Sequence, residues 1–299
     1  MQTELSTKKK AGVRAYFRDV AENQRKRHDK YMLYHTALAP KNPIQYLRRL
    51  QFAVCSAFQG WQANVKMMEA IKQMPPDFTE KQLEDAFKKA GTGLYTRAKS
   101  LHKLTVDFRQ NPLSYMPRPG EDWDSFRNRL ANKRVGMGLA KASFALEMLF
   151  PEHCRVVCLD RWILADYGIK TTDLGWDYRE KEGHWVKGAD DYELSPTMTR
   201  HMRWDDFHGK TNTRYWSYVL EDKGSAKVGR ALWPNEDIAC QPTCDSVEQE
   251  EWDEAPAVSG EAEVKEEARQ QQKLKRLTEH HASLERQQWA GSGETCVPS

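Results

Sequence analysis

The amino-acid sequence predicts an all-α fold that carries a polar tail. Up to residue 150, apolar residues recur at the three- and four-residue spacing of amphipathic helices, and no sustained alternation typical of β-strands occurs. Hydrophobic residues make up only 39% of the 299 residues, and the mean hydropathy is −0.82. This is too polar for a chain that buries its whole length, so we expect one core of about 200 residues with poorly ordered flanks.

Helical patterns bounded by proline or glycine cover most of the first 150 residues. They occupy the segments Val13–Tyr34, Tyr46–Met74, Leu83–Lys89, Tyr95–Phe108, Trp123–Asn132 and Ala140–Phe150. Pro40 and Pro43 end the first segment, and Gly60 is the point at which the second segment would divide into two helices.

Residues 176–233 have a different pattern, in which five Trp and four Tyr residues are interleaved with charged residues and show little periodicity. These aromatic side chains would either pack in the core or stack on a nucleic-acid base. After Cys240 the sequence is rich in Glu and Gln and has too few large apolar residues to build a core. We therefore divide the chain into an N-terminal basic helical arm (1–39), a core (40–170), an aromatic-rich extension that completes the fold (171–240), and an acidic, mostly disordered tail (241–299).

The net charge of +3 conceals a strong asymmetry. Residues 241–299 carry 6 Lys and Arg against 13 Asp and Glu, a net charge of −7. Residues 1–240 carry 40 basic and 30 acidic residues, a net charge of +10. Such asymmetry can simply aid solubility, but a basic folded part also favours a polyanionic partner, and nucleic acid is the main candidate.

Several protein classes are excluded by composition. No apolar run approaches the roughly 18 residues of a membrane span, and the N-terminus lacks the apolar stretch of a signal peptide. Six cysteines are too few for a disulfide scaffold. We expect a soluble intracellular protein with reduced cysteines and no membrane partner.

The most specific local motif is the segment from Arg134 to Ala142, with the sequence Arg-Val-Gly-Met-Gly-Leu-Ala-Lys-Ala. Because Gly136 and Gly138 lack a Cβ, the backbone can come close to a phosphate, and the N–H groups of the next helical turn point at the anion. The motif therefore predicts a helix-hairpin-helix that contacts DNA through Arg134 and the two glycines. A tight turn between two packed helices would need the same glycines.

Three further segments accompany this hairpin. Residues 53–59 read Ala-Val-Cys-Ser-Ala-Phe-Gln, and residues 91–99 read Gly-Thr-Gly-Leu-Tyr-Thr-Arg-Ala-Lys. After the hairpin, an apolar run ends in Asp160-Arg161, with Asp160 placed 22 residues after Gly138. In this order the segments resemble landmarks of the helix-hairpin-helix DNA glycosylase superfamily, over roughly residues 40–170.

The resemblance implies roles for individual residues. Asp160 matches the catalytic aspartate of that superfamily, although an Asp that caps the following helix would occupy the same place. Gln59 matches the position from which a polar side chain fills the gap left by an extruded nucleotide, and an ordinary surface glutamine is the alternative. Three cations would lie near the site: Lys141, Arg155 and Arg161. Each would either stabilise the negative charge of a leaving group or simply contact a DNA phosphate.

Departures from the superfamily pattern narrow the chemistry. Bifunctional members carry a Schiff-base lysine two residues after the second glycine, where this chain has Ala140. Lys141 is one residue further on, about 100° around the helix, so lyase chemistry is not expected. The spacings of Cys154 with Cys158 and of Cys240 with Cys244 are not those of an iron–sulfur cluster. We expect no metal and no cofactor.

The sequences around Gly138–Phe144 and Cys158–Arg161 are more similar to a bacteriophage branch of this superfamily. Its members are the amino acid:DNA transferases, also called α-glutamyl/putrescinyl thymine pyrophosphorylases, of thymidine hypermodification. The resemblance implies a phage-encoded enzyme of the host cytoplasm. It would act on double-stranded DNA carrying a modified thymine and use a free amino acid or amine as second substrate.

The implied reaction replaces the phosphate or pyrophosphate on 5-hydroxymethyluracil with an amine such as glycine or serine. Asp160 would act as general base or as an electrostatic stabiliser, and Lys141 would be a candidate cation for the anionic leaving group. The same sequence features also fit two other functions: a monofunctional glycosylase that excises a modified base, and a non-catalytic DNA-binding module. The sequence does not identify the amine.

Overall fold

A computed structural model of this chain describes residues 7–56, 61–92, 95–160, 163–164, 177–208, 216–220 and 223–233. The predictions for Gln59, for Arg161, for the Cys240 and Cys244 pair and for the tail from residue 241 lie outside these residues. All secondary structure in the described part is helical, which confirms the predicted all-α class. None of the described helices has the length and apolar character needed to cross a membrane.

A short 3₁₀ turn (Pro112–Tyr115) separates the sixth helix from the seventh. In chain order they are α1 (Thr7–Asn23), α2 (Arg25–Leu38), α3 (Pro43–Cys55), α4 (Trp61–Gln73), α5 (Glu80–Lys89), α6 (Arg97–Gln110), α7 (Trp123–Asn132), α8 (Leu139–Leu149), α9 (Asp177–Asp190), α10 (Pro196–His208), α11 (Trp216–Val219) and α12 (Lys223–Leu232).

Local capping chemistry fixes several helix starts. Thr79 and Gln82 form a capping box at α5, in which each side chain bonds the backbone N–H of the other residue. Asp122 caps α7 by accepting the N–H of Ser125 at 2.8 Å. The predicted bounds of α7 coincide with the observed ones because the N-cap and the following glycine-containing hairpin are both encoded locally.

The sequence predicted one continuous helix over Val13–Tyr34, and this is wrong. The chain forms two helices there, because the backbone leaves the helical conformation at Gln24. The side chains of Asn23 and Gln24 both donate to the Asp19 carboxylate, at 2.8 and 2.6 Å. These local bonds compete with helix continuation at this point. The second of the two helices ends at Leu38, in agreement with the predicted proline boundary.

The described parts of the aromatic-rich extension (177–208, 216–220 and 223–233) are largely helical, although the sequence shows little periodicity. Its helices bury charged residues as well as aromatic ones, so a single apolar stripe is absent from the sequence. Trp185 and Trp216 are 1% and 3% exposed, and the Trp185 indole donates to the carbonyl of Pro196 at 3.0 Å. Tyr178 is buried as well. For these three aromatic residues, core packing is the observed role and the predicted base-stacking alternative is wrong.

Two buried apolar clusters make up the core. The first is built mainly by α3 to α8, and the second by α1, α2, α9 and α10. The segment that leads from α8 to Asp160 runs between the clusters. Val156 and Cys158 belong to the first cluster, whereas Val157 and Leu159 belong to the second. This alternation is that of an extended chain with both faces buried.

Candidate DNA-binding and catalytic site

The hairpin between α7 and α8 is anchored by alternate residues. Val135 and Met137 are buried in the first cluster, whereas Arg134 and Gly138 on either side of them are exposed. Arg134 itself has a positive φ of 52°. The apolar anchors hold the turn against the core, while Arg134 and Gly138, two of the positions predicted to meet DNA, face outward.

The two hairpin glycines have different surroundings. A Cβ built on Gly136 would lie 2.7 Å from the Ser100 Cβ and 3.1 Å from Val54, and the φ of Gly136 is +81°. No atom lies within 4 Å of a Cβ built on Gly138. Packing between helices therefore accounts for Gly136, as the alternative interpretation of the motif required. Only Gly138 leaves open space in front of the backbone.

The N-terminus of α8 is open to an anion. Gly138 is its N-cap and supplies no side-chain hydrogen bond, and the first turn contains no acidic residue. The first N–H groups of a helix have no partner within the helix and lie at the positive end of its dipole. This geometry matches the phosphate contact predicted for the hairpin.

Exposed cations flank the hairpin on α6. The Lys103 ammonium donates to the carbonyl of Arg134 at 3.4 Å, and Lys99 lies one turn earlier on the same helix. We call Lys99, Lys103 and Arg134 the hairpin cations. Lys103 was missed by the sequence analysis, and its i,i+4 spacing from Lys99 is the signal that could have indicated it.

Asp160 ends the extended segment and caps a short helical turn. One of its carboxylate oxygens accepts the N–H of Ile163 at 3.1 Å, and its backbone carbonyl accepts the N–H of Leu164 at 2.9 Å. The capping role considered for Asp160 is therefore present. A cap also fixes the direction of the carboxylate, so the two roles are compatible.

Lys141 lies within electrostatic range of Asp160. Burial lowers the pKa of the Lys141 ammonium, and the charge of Asp160 opposes this shift. The Lys141 ammonium also lies 5.2 Å from the ring centroid of Phe144. Lys141, in the first turn of α8, and Asp160, at the end of the extended segment, therefore interact electrostatically.

The other cations have different positions relative to this pair. Arg155 is exposed, and its guanidinium forms an ion pair with Asp190 on the protein surface. Arg97, at the start of α6, acts electrostatically on Lys141 and was missed as a site residue by the sequence analysis. It lies within the 91–99 segment on which the family resemblance rests.

Cys158 lies two residues before Asp160 and is buried. Burial raises the pKa of the Cys158 thiol to about 12, so it is protonated and not a nucleophile at neutral pH. Within the described parts of the chain, no three His, Cys, Asp or Glu side chains come together as a metal site would require.

Two buried carboxylates, Glu147 on α8 and Glu182 on α9, contact the backbone of the segment before Asp160. The sequence analysis missed both. Neither lies in a recognisable motif, and a Glu within a helix is usually a solvated surface residue.

No family model and no curated protein sequence matches this chain. Among solved structures, the crystal structure of an 8-oxoguanine DNA glycosylase from Methanocaldococcus jannaschii is similar, with a TM-score of 0.56 and 17% sequence identity. The similarity covers 67% of this chain and 95% of that chain. It confirms that the chain has the helix-hairpin-helix DNA glycosylase fold, and at this identity it establishes the fold alone.

Proposed function

We propose that the protein binds double-stranded DNA through the hairpin and modifies a single thymine-derived base. The observation that carries the proposal is the electrostatic interaction of Lys141, in the first turn of α8, with Asp160, together with the N-terminus of the same helix, which is open to an anion. The hairpin cations would contact phosphates, and the protein would reach its base by extruding it from the helix, at a cost of a few kcal/mol.

The reaction we propose is the transfer of an amino acid or related amine onto phosphorylated or pyrophosphorylated 5-hydroxymethyluracil. The amine lone pair forms a C–N bond to the 5-methylene carbon, and the C–O bond breaks with its electron pair leaving on the phosphate or pyrophosphate. The ammonium substrate loses one proton before attack and the product amine sheds a second. In a phage, such a product would protect the DNA from host restriction.

Asp160 and Lys141 have complementary roles in this proposal. The Asp160 carboxylate accepts a proton from the amine or stabilises the electron-poor methylene carbon. The Lys141 ammonium stabilises the departing anion. Arg161 and Gln59 keep the roles implied by the family resemblance, as a phosphate contact and as the side chain that fills the gap in the base stack.

A second candidate is favoured by the similarity to the 8-oxoguanine DNA glycosylase. In this function the protein would excise a modified base, with Asp160 stabilising the positive charge that develops on the sugar. Ala140 occupies the position of the Schiff-base lysine of bifunctional members, so the expected product is an abasic site without strand cleavage. Trapping of a covalent adduct by borohydride would show that an amine of the protein forms a Schiff base and would contradict this expectation.

The test uses DNA that contains 5-phosphomethyl- or 5-pyrophosphomethyl-uracil, incubated with the full-length protein and a pool of amino acids. The DNA is then digested and the nucleosides are identified by mass spectrometry. A new adduct supports transfer, whereas released free base supports the glycosylase. Retained DNA binding with neither product would leave a non-catalytic DNA-binding module and overturn both enzymatic functions.

Asp160→Asn is the informative variant. The amide oxygen can still accept the N–H of Ile163, so the cap is retained while the charge is lost. We expect the rate to fall about 10²- to 10³-fold with DNA binding unchanged. The matched control is Asp122→Asn, the same substitution at the N-cap of α7, which should leave the rate unchanged. An Asp160→Asn protein with full activity would remove Asp160 from the chemistry.

A further inference from the structure

The extended segment before Asp160 has buried backbone amides that are satisfied by side chains. Val157, Cys158 and Leu159 are at most 2% exposed, so their N–H groups are sheltered from water. The N–H of Val157 donates to Glu182 at 2.8 Å, and the N–H of Cys158 donates to Glu147 at 2.8 Å. A buried amide requires such a partner, and these two come from different helices.

Tyr178 of α9 makes the third contact. Its hydroxyl donates to the carbonyl of Val157 at 2.8 Å and accepts the N–H of Leu159 at 3.2 Å. One phenol therefore bridges two backbone groups of the segment, and the second of them directly precedes Asp160. Tyr178 is itself buried, so its position is fixed by packing in the second cluster.

Each of the two carboxylates is paired with a buried arginine. Glu182 forms an ion pair with Arg127 of α7, and Glu147 forms one with Arg200 of α10, whose Nε donates at 2.9 Å. All four side chains are at most 4% exposed. A carboxylate paired with an arginine is a charge-assisted acceptor, which holds a backbone N–H more strongly than a neutral acceptor does.

All of these contacts hold the same stretch of backbone, which leads to Asp160. Consecutive amides at 157, 158 and 159 are tied to α8 and α9, and through the arginines to α7 and α10. We infer that Glu147, Glu182 and Tyr178 are positioning residues that fix the Asp160 carboxylate for reaction. This inference rests on the proposed function for the role of Asp160. Precise placement of a reacting group contributes strongly to catalytic rates, so loosening the segment should lower the turnover number.

The test compares Tyr178→Phe with Tyr46→Phe in the full-length protein. Each variant removes one buried hydroxyl that donates to a backbone carbonyl, and Tyr46 bonds Tyr115 at 2.7 Å in a different part of the core. We expect Tyr178→Phe to lower kcat about tenfold, to leave the KM for DNA unchanged, and to displace the acidic limb of the pH–rate profile. Tyr46→Phe should leave kcat and the profile as in the wild type.

Unfolding curves for both variants show whether the assay contains folded protein. Glu182→Gln provides a second test, since the amide oxygen can still accept the Val157 N–H but lacks the charge that pairs with Arg127. If that variant does not fold, Tyr178→Phe decides the question. An active wild type in which Tyr178→Phe behaves like Tyr46→Phe would overturn the positioning inference alone. An inactive wild type would overturn the proposed function, and the positioning inference with it.

Discussion

Gly136 packs so closely against Ser100 that a Cβ on the glycine would lie 2.7 Å from the Cβ of Ser100. Two residues later, Gly138 has open space at the same position. The two glycines of one motif therefore have separable roles. The first lets α6 approach the hairpin, and the second keeps the backbone accessible at the start of α8.

Alanine substitutions should separate these roles. Gly136→Ala combines a steric overlap with a strained positive φ, so we expect it to lower the free energy of unfolding by about 1–3 kcal/mol or more. Gly138→Ala should change stability by less than about 1 kcal/mol and weaken DNA binding roughly tenfold, because a methyl group would stand between the backbone and a phosphate. Urea unfolding and DNA titration measure the two effects. Equal loss of stability in both variants would contradict the distinction.

Lys103 provides a test of the hairpin cations. If its ammonium contacts a phosphate, Lys103→Ala should weaken DNA binding and reduce the slope of log affinity against log salt by about 0.9. The control is Lys81→Ala on α5, where an exposed lysine already pairs with Asp85 at 2.9 Å. Binding measured at several salt concentrations gives the slopes. A Lys103→Ala slope equal to that of the wild type would place DNA elsewhere on the protein.

The acidic tail should compete with DNA for the basic part of the chain. Residues 241–299 carry a net charge of −7, whereas residues 1–240 carry +10. We expect deletion of the chain after Cys240 to tighten DNA binding, with the largest effect at low salt, where charge attraction is least screened. A deletion variant that binds more weakly than the full chain would show that the tail contributes to binding.

A buried histidine pair should make the fold sensitive to acid. His35 and His201 stack with ring centroids 4.1 Å apart, and their ring nitrogens have no hydrogen-bond partner in the described part of the protein. Burial lowers the pKa of His35 to about 3, and burial with the nearby Arg200 lowers the pKa of His201 well below its ordinary value. Below about pH 6.5 the unfolded chain gains protons that the folded chain does not bind.

The stability contribution of this pair is therefore complete above about pH 6.5 and is lost as the pH falls, by about 1.4 kcal/mol per pH unit for each histidine. We expect His201→Phe to lose about 1.4 kcal/mol less than the wild type when urea unfolding is compared at pH 7.5 and pH 5.5. The exposed His153 serves as the control site, and His153→Gln should follow the wild type. Parallel losses in all three proteins would contradict the prediction.

Local signals predicted the helices near the hairpin well. Asp122 and the glycines that follow α7 are close in sequence to the helix they delimit, so capping and turn chemistry can be read directly. The break at Gln24 and the helices of the aromatic extension were not predicted. The break at Gln24 depends on side-chain hydrogen bonds to Asp19. The helices of the extension bury charged residues as well as aromatic rings, so their sequence shows no apolar stripe.

Some features of the candidate site follow from the sequence alone, and others follow only from the tertiary structure. The sequence by itself determined the hairpin, the place of Asp160 after it and the basic character of the folded part, since these depend on residue type and short spacing. Only the tertiary structure decided that Gly136 is needed for packing, that Lys141 interacts electrostatically with Asp160, and that Glu147, Glu182 and Tyr178 hold the backbone before Asp160. Those relationships join residues that are distant in the sequence, such as Val157 and Glu182, which are 25 positions apart, and they exist only because the helices pack with particular faces together.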